Sequence, residues 1–378
     1  MSKIKVVTIV GTRPEIIRLC RLIPKLDAYT DHILVHTGQN SDPKLNDVFF
    51  EDLELRQPDY FLNVNTSSMG SVMGDTIKKS EELFLKEKPD AVMILGDTNS
   101  AVAAIVAERM HIPVYHMEAG NRSFDANVPE ELNRRMVDHV ASFNLPYNDY
   151  SLRNLLAEGI HPRRICITGS PIREVYVHYK EKILSSSVLK DLELTKGEYF
   201  LASIHRQENV DPPERLKQVL ECLRAVRDEW GLPVLVSTHP RTGKRLKELG
   251  IDKVQGITFH EPFGYLDYNH LQMNARCVIS DSGTISEESA IIGFPAVSLR
   301  DSLERPESLD AGSIVLAGIE PENLINSILV ACSHYSDASI DKEQPAGYQE
   351  NNFSQKVVSF LVSTAFKHAK WAGIRSLR

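Results

Sequence analysis

Apolar residues recur along this chain in short continuous runs, each closed by a glycine, a proline or a polar cluster, and helical patterns fill the stretches between them. The first run, Ile4 to Val10 in "KIKVVTIVGTRPEIIRLC", reads as a parallel strand buried on both faces, because a half-buried strand would alternate and this one does not. Comparable runs follow at "HILVHT" (32–37), "DAVMILG" (90–96), "PVYHME" (113–118), "FNLP" (143–146) and "RICITG" (164–169), separated by helical stretches such as "MGDTIKKSEELFLKEKP" and "SAVAAIVAERMHI". A second series begins near residue 199 with "YFLASI" and continues through "PVLVST", "ITF", "CVISDS" and "PAVSL". Strand and helix patterns in alternation predict an α/β fold with doubly wound parallel sheets. The break between the two series falls at "TGSPIREV", residues 168–175, where Gly169, Ser170 and Pro171 interrupt the pattern. Two Rossmann-like domains facing each other across a cleft are expected, one from residues 1–170 with 355–378 and the other from 171–354. The periodic stretch "FSQKVVSFLVSTAFKHAKWAG" predicts a helix that returns to the first domain.

A chain of 378 residues exceeds what one core usually serves, and 42% hydrophobic residues supply ample core for two. Net charge −8 argues against nucleic acid or an anionic membrane surface as the main partner. The five cysteines, Cys20, Cys166, Cys222, Cys277 and Cys332, are odd in number, scattered and without metal-ligand spacing, which reads as reduced core residues. No apolar run approaches the ~20 residues needed to span a bilayer, and "MSKIKVV" passes straight into a strand, so a soluble cytoplasmic protein is expected.

Polar residues that could do chemistry collect where strands end. Gly11, Thr12, Arg13 and Pro14 follow the first strand; a glycine for close approach, an arginine fork and a helix start would together suit an anion. An ordinary turn with a solvated arginine is equally open, since neither the dinucleotide nor the Walker glycine pattern is present. "ILGDTNS" places Asp97 and Thr98 at a strand end, and "YHMEAGNRSFDANVPEELNRRMVDH" places Glu118 at the next, followed by Glu130, Glu131, Asn133 and Arg134. Carboxylates sharing one rim have their pKa values pushed apart, which provides an acid and a base. Asp97 could instead cap a helix, and "PEELNRR" could be the acidic first turn of a surface helix. Further on, "ASIHRQEN" sets His205 and Arg206 after a strand, and "VSTHPRTGKR" repeats this with His239 and Arg241. In "ISDSGTISEESAIIGFPAVSLRDSLERPE", Ser282, Gly283 and Thr284 offer hydroxyls and amides to a diphosphate, and Glu287 or Glu288 could accept from a ribose diol. Ser-Gly at a helix start is also common capping, and histidines after strands are often structural. Taken together, the residues point to a nucleoside diphosphate.

The order "GTRPE", "GDT", "HMEAGNR", "PEELNRR", "HRQEN", "DSGTISEE" and "LRDSLERPE", spread over residues 11–307, resembles the non-hydrolysing UDP-N-acetylglucosamine 2-epimerase family, with its two-domain glycosyltransferase-B fold. The resemblance implies an isomerase acting as a homodimer on a UDP-sugar, without metal or nicotinamide. Carried over by position, Arg13, His205, Ser282 and Gly283 would hold the diphosphate and Glu288 the ribose, with Arg305 in support. Arg18, Arg134, Tyr268 and Thr284 would join the substrate contacts, while Asp97, Glu118 and Glu130 would be the acid/base carboxylates and His205 would lie close to the chemistry.

The sequence departs from the UDP-GlcNAc enzymes at two places. Their Gln-His-Arg motif is replaced by Gln39-Asn40-Ser41, and their lysine after "GTRPE" is Arg18. "TGQNSD", "FFEDLELRQPDYFL", "MEAGNRSFDANVPEE", "STHPR" and "FGYLDYNHLQ" instead resemble the branch that makes UDP-N-acetyl-L-fucosamine for bacterial capsule and O-antigen. That branch inverts carbon 2 of UDP-2-acetamido-2,6-dideoxy-L-talose. The family mechanism would eliminate UDP to a glycal and add it back, one carboxylate taking a proton and another returning one on the opposite face. A UDP-GlcNAc 2-epimerase, a glycosyltransferase of the same fold and a non-catalytic UDP-sugar sensor are the other readings.

Overall fold

The computed structural model describes residues 3–39, 50–251, 253–302, 304–337, 339 and 344–375. Asn40 and Ser41 of the altered motif therefore lie outside the described residues, and only Gln39 is inside. The chain divides into two compact units, Met1–Val175 with Glu350–Arg378, and Tyr176–Gln349.

In the first unit the apolar runs become β1 (Lys5–Val10), β2 (Asp31–His36), β4 (Ala91–Leu95), β5 (Val114–Met117) and β6 (Phe143–Leu145), joined by a two-residue β3 (Tyr60–Phe61). The sheet runs β3-β2-β1-β4-β5-β6 with every neighbouring pair parallel. Its central strands are continuous apolar runs because helices cover both faces. Val92 and Ile94 of β4 pack with Phe84, Ala104 and Val137 on flanking helices. The second unit contains β7 (Phe200–Ser203), β8 (Val234–Ser237), β9 (Ile257–His260), β10 (Cys277–Ser280), β11 (Ala296–Ser298) and β12 (Val315–Leu316), ordered β12-β11-β10-β7-β8-β9, again all parallel. Counted from its own first strand, each sheet has the same order, and each reverses direction beside that strand. Such a reversal leaves the carboxyl ends of two adjacent strands uncovered by a crossover: β1 and β4 in one unit, β7 and β10 in the other.

Two readings of the pattern need correction. Residues 164–169, expected as a strand, form none: Pro162–Arg164 is a short 3₁₀ turn, Ile165 makes one isolated bridge to Asn144, and Cys166 and Thr168 donate to the carbonyls of Asn144 and Pro146. Gly169, at φ +80°, then turns the chain away. Conversely β3 and β12 were not anticipated, because two residues carry no readable period.

The C-terminal periodic stretch forms the helix Phe353–Thr364, a 3₁₀ turn and a last short helix, His368–Trp371. Its apolar face meets the edge of the first sheet: Phe360 lies edge-on to Phe143 at 5.3 Å and Tyr115 at 6.1 Å, and Phe353 edge-on to Tyr147. The Tyr115 hydroxyl and Thr364 Oγ1 are 2.6 Å apart, and the Ser354 amide donates to Glu174. None of the five cysteines forms a disulfide: Cys20, Cys222 and Cys277 are buried, Cys166 and Cys332 partly so. Among the described residues no helix is long and apolar enough to cross a membrane.

Leu361 is fully buried on this helix, whereas Leu329, on the helix Pro321–Ser336 of the second unit, is 51% exposed. Leu361→Ala is expected to cost about 2–5 kcal/mol of stability and Leu329→Ala at most about 0.5 kcal/mol, measured by urea denaturation. Equal losses would mean the C-terminal helix is not packed as described.

Candidate active site

The turn after β1 is closed from within. Thr12 is the N-cap of the helix Arg13–Leu19 and forms a capping box with Glu15. Glu15 Oε2 accepts from the amides of Gly11 (2.8 Å) and Thr12 (2.7 Å) and from the Thr12 hydroxyl, while Oε1 accepts from Thr98 Oγ1 and Ser100 Oγ. Burial raises the Glu15 carboxyl above its usual range, outweighing the opposing hydrogen bonds from Ser100, Gly11, Thr12 and Thr98. Two of the amides at this turn, those of Gly11 and Thr12, are therefore taken by the chain's own carboxylate. Arg13, the next residue, is half-buried. The signal, Thr-x-x-Glu, was present in "TRPE". Gly11 itself has no room for a side chain: a Cβ would stand 2.3 Å from Thr37 Oγ1 and 2.8 Å from Gln39 Nε2.

After β4, Gly96 (φ +71°) turns the chain into Asp97. Asp97 is not a cap; Thr98 caps the following 3₁₀ turn, accepting from the Ser100 amide. The Asp97 carboxylate receives two bonds from Arg134, at 2.5 Å from Nη2 and 3.1 Å from Nε, and Asn133 donates to its carbonyl. Arg134 is itself buried and also pairs with Glu131. After β5, Glu118 adopts the left-handed region at φ +64°, a conformation that costs a non-glycine residue about 1 kcal/mol and calls for a compensating structure. Its carboxylate pairs with buried Arg18 and accepts from Asn121 Nδ2 at 3.2 Å. A Cβ built on Gly96 would lie 3.5 Å from Glu118 Oε2, so Glu118 lies against the backbone beside Asp97.

The helix Pro129–Val140 begins with Glu130, half-buried, and Glu131, buried. Glu131 is not surface charge: it accepts from the Ser123 amide and hydroxyl and from Arg135, tying the loop after β5 to this helix.

In the second unit, Asp281 at the end of β10 was passed over by the sequence reading and organises the neighbouring strand end. It is fully buried, accepts from the amides of His205 and Arg206 and from Asn209 Nδ2, and lies 3.4 Å from His205 Nδ1. Ser282 and Thr284 share a hydroxyl contact of 2.9 Å. Gly283 is packed from above: a Cβ would meet Glu304 Oε2 at 2.8 Å and Arg206 Nη2 at 3.2 Å, and Arg305 donates to its carbonyl. Arg305 is buried; burial would lower its pKa, but Glu287, Tyr348, Glu307 and Glu304 outweigh this and raise it. Glu288 accepts from Gln272 Nε2 at 2.7 Å, and burial followed by the charge of Glu288 pushes up the phenol of Tyr268. His205, Ser282, Gly283, Arg305, Glu288 and Tyr268 thus share one set of strand ends. A cavity of about 720 Å³ lined by Arg276, Ile291, Cys332, Tyr335 and Gln344 lies at the opposite, amino-terminal ends of β10 and β11 and contains none of them.

Residues 25–362 match the family model described as UDP-N-acetylglucosamine 2-epimerase. The UDP-N-acetylglucosamine 2-epimerase of Methanocaldococcus jannaschii is 38% identical over 333 residues, 86% of this chain and 91% of that protein. The UDP-2,3-diacetamido-2,3-dideoxy-D-glucuronate 2-epimerase of Pseudomonas aeruginosa is 33% identical over 85% of this chain and 91% of its own length. Among solved structures, UDP-N-acetylglucosamine 2-epimerase from Rickettsia bellii superposes with a TM-score of 0.91 at 41% identity, over 99% of this chain and 100% of the other. M. jannaschii UDP-GlcNAc 2-epimerase in complex with UDP-GlcNAc and UDP gives 0.88 at 34% identity, over 95% of this chain and 100% of the other.

Removing Glu15 tests the closed turn. Glu15→Ala strips the Gly11 and Thr12 amides of their acceptor and is expected to cost about 2–4 kcal/mol. Glu15→Gln keeps one oxygen for those amides and can turn its NH2 toward the Thr98 and Ser100 hydroxyls, so it should cost clearly less. Equal losses in thermal denaturation would show that the charge, not the hydrogen bonds, holds the turn.

Proposed function

The chain belongs to the UDP-N-acetylglucosamine 2-epimerase family, a family of UDP-sugar 2-epimerases and hence isomerases, and from that premise we propose that its own substrate is UDP-2-acetamido-2,6-dideoxy-β-L-talose, converted to UDP-N-acetyl-β-L-fucosamine. The observation that carries the chemistry is the placing of Asp97 and Glu118 at the ends of adjacent strands, each carboxylate oriented by a buried arginine. The substrate assignment rests on the segments "TGQNSD", "MEAGNRSFDANVPEE", "STHPR" and "FGYLDYNHLQ" and on Arg18, in place of a lysine, as the partner of Glu118.

Carbon 2 beside an acetamido group has no carbonyl on the ring to acidify its hydrogen. Breaking the anomeric C–O bond first builds positive charge at carbon 1, and the neighbouring C–H then becomes acidic enough for a carboxylate. UDP leaves with the bonding electrons, a carboxylate takes the carbon 2 proton, and a glycal remains. A second acid then delivers a proton to the opposite face of carbon 2 as a UDP oxygen re-forms the bond to carbon 1. In this reading Asp97, Glu118 and Glu130 are the acid/base groups. Arg13, Arg206, His205 and the Ser282–Thr284 hydroxyls meet the departing diphosphate, where fixed donors stabilise charge without reorganisation. Glu288 and Tyr268 face the ribose side of the nucleotide, and Arg305 holds the Gly283 turn.

A second reading, epimerisation of UDP-GlcNAc to UDP-N-acetylmannosamine, is favoured by the names of the M. jannaschii and R. bellii relatives. Proton NMR in deuterated water separates the two. Deuterium entering carbon 2 of the L-sugar, with formation of the L-fuco epimer and none from UDP-GlcNAc, is the expected result. Exchange with UDP-GlcNAc alone would replace the substrate, and exchange with neither would remove the epimerase reading altogether. Asp97→Asn and Glu118→Gln should each lower kcat by about 10²-fold or more while the Kd for UDP by calorimetry stays within about twofold. Near-normal turnover in both variants would refute the assignment.

A further inference from the structure

Behind Asp97 and Glu118 lies a buried polar cluster that the reaction itself does not use. His116, on β5, and Asp138, near the end of the helix Pro129–Val140, have no exposed surface. His116 Nε2 is 2.8 Å from the carbonyl of Gly96, and a carbonyl can only accept, so this nitrogen carries a proton. The other ring nitrogen, Nδ1, is 2.9 Å from Asp138 Oδ1, a close polar contact without hydrogen-bond alignment. The Asp138 carboxylate accepts from the Gly120 amide with both oxygens, at 3.0 and 3.2 Å, and pairs with Arg122 at 2.7 Å. Arg122 goes on to Glu158 and to the carbonyl of Asn121.

The two backbone groups held here are the two turns that aim the carboxylates. Gly96, at φ +71°, immediately precedes Asp97; Gly120, at φ +84°, follows Glu118 by two residues, and Glu118 itself is in the left-handed region. Neither turn is an ordinary strand end, and the second cannot relax: a Cβ at Gly120 would stand 2.3 Å from the Ser151 carbonyl oxygen. The side chain of Asn121, next to Gly120, donates to Glu118 and accepts from Ser151. One imidazole and one carboxylate therefore couple the turn of Asp97 to the turn of Glu118.

We propose that His116 and Asp138 are positioning residues for the epimerisation, holding Asp97 and Glu118 at a fixed mutual geometry so that proton removal and proton return occur on the same bound intermediate. The proposal rests on the assignment of Asp97 and Glu118 as reacting carboxylates. Neither positioning residue touches substrate, so ground-state binding should be spared and the second proton transfer should suffer. If the returning acid is misaligned, the glycal outlives its partner and is released with UDP.

The test compares Asp138→Asn, His116→Ala and His116→Gln with Tyr115→Phe. The Tyr115 change removes a buried hydrogen bond from the same strand but on its opposite face, toward Thr364. Asp138→Asn and His116→Ala should lower kcat at least tenfold, leave KM for the UDP-sugar within twofold, and release glycal and UDP detectable by NMR and by coupled UDP assay. His116→Gln, which can still donate to Gly96, should lose less than His116→Ala. Tyr115→Phe should lower the melting temperature without releasing glycal. If the position 116 and 138 variants lose no more turnover than Tyr115→Phe at a matched loss of stability, or raise KM rather than lower kcat, the proposal is overturned while the Asp97 and Glu118 assignment stands. If Asp97→Asn and Glu118→Gln remain active, both fall together.

Discussion

Loops at the carboxyl ends of the strands in this protein are held by buried carboxylates accepting backbone amides. Glu15 takes Gly11 and Thr12, Glu131 takes Ser123, Asp138 takes Gly120, and Asp281 takes His205 and Arg206. Each is at most 7% exposed. An ionised carboxylate is expensive to bury unless it is fully hydrogen-bonded, and a turn leaving a parallel strand has amides with no ladder partner; each group removes the other's penalty.

The sheet order sets which strand ends these loops occupy. Strand order reverses beside β1 in one sheet and beside β7 in the other, so two strand ends in each are left uncovered. In the first unit these carry Arg13, with Asp97 and, one strand further, Glu118; in the second they carry His205, Arg206 and Ser282 to Thr284. Buried arginines pair with carboxylates in both units, Arg18 with Glu118 and Arg134 with Asp97 in the first and Arg305 with Glu287 and Arg300 with Glu304 in the second.

Several of the pairings also show how the fold tolerates strain. Glu118 occupies a conformation that a glycine would adopt more cheaply, and it stays there because Arg18 and Asn121 hold its carboxylate while Gly96 and Gly120 make space around it. Replacing either glycine would collide with existing atoms or force a positive φ on a side chain.

Hydrophobic runs by themselves determined the parallel α/β character, ten of the strands and the C-terminal helix, because burial on both faces leaves a contiguous apolar signature that needs no knowledge of neighbours. The ordered motifs likewise determined the family, and the strand-end positions of Asp97, Glu118, His205 and Ser282. Tertiary structure alone decided the remainder. It showed that 164–169 runs beside β6 without becoming a strand, that Glu15 takes the Gly11 and Thr12 amides of the first turn, and that Thr98 rather than Asp97 caps the 3₁₀ turn after β4. It also turned Glu131, Asp138 and Asp281, indistinguishable in sequence from surface acids, into buried acceptors. The reason is that a charge's role depends on what lies within about 3 Å of it, and those partners come from 3 to 85 positions away in the chain.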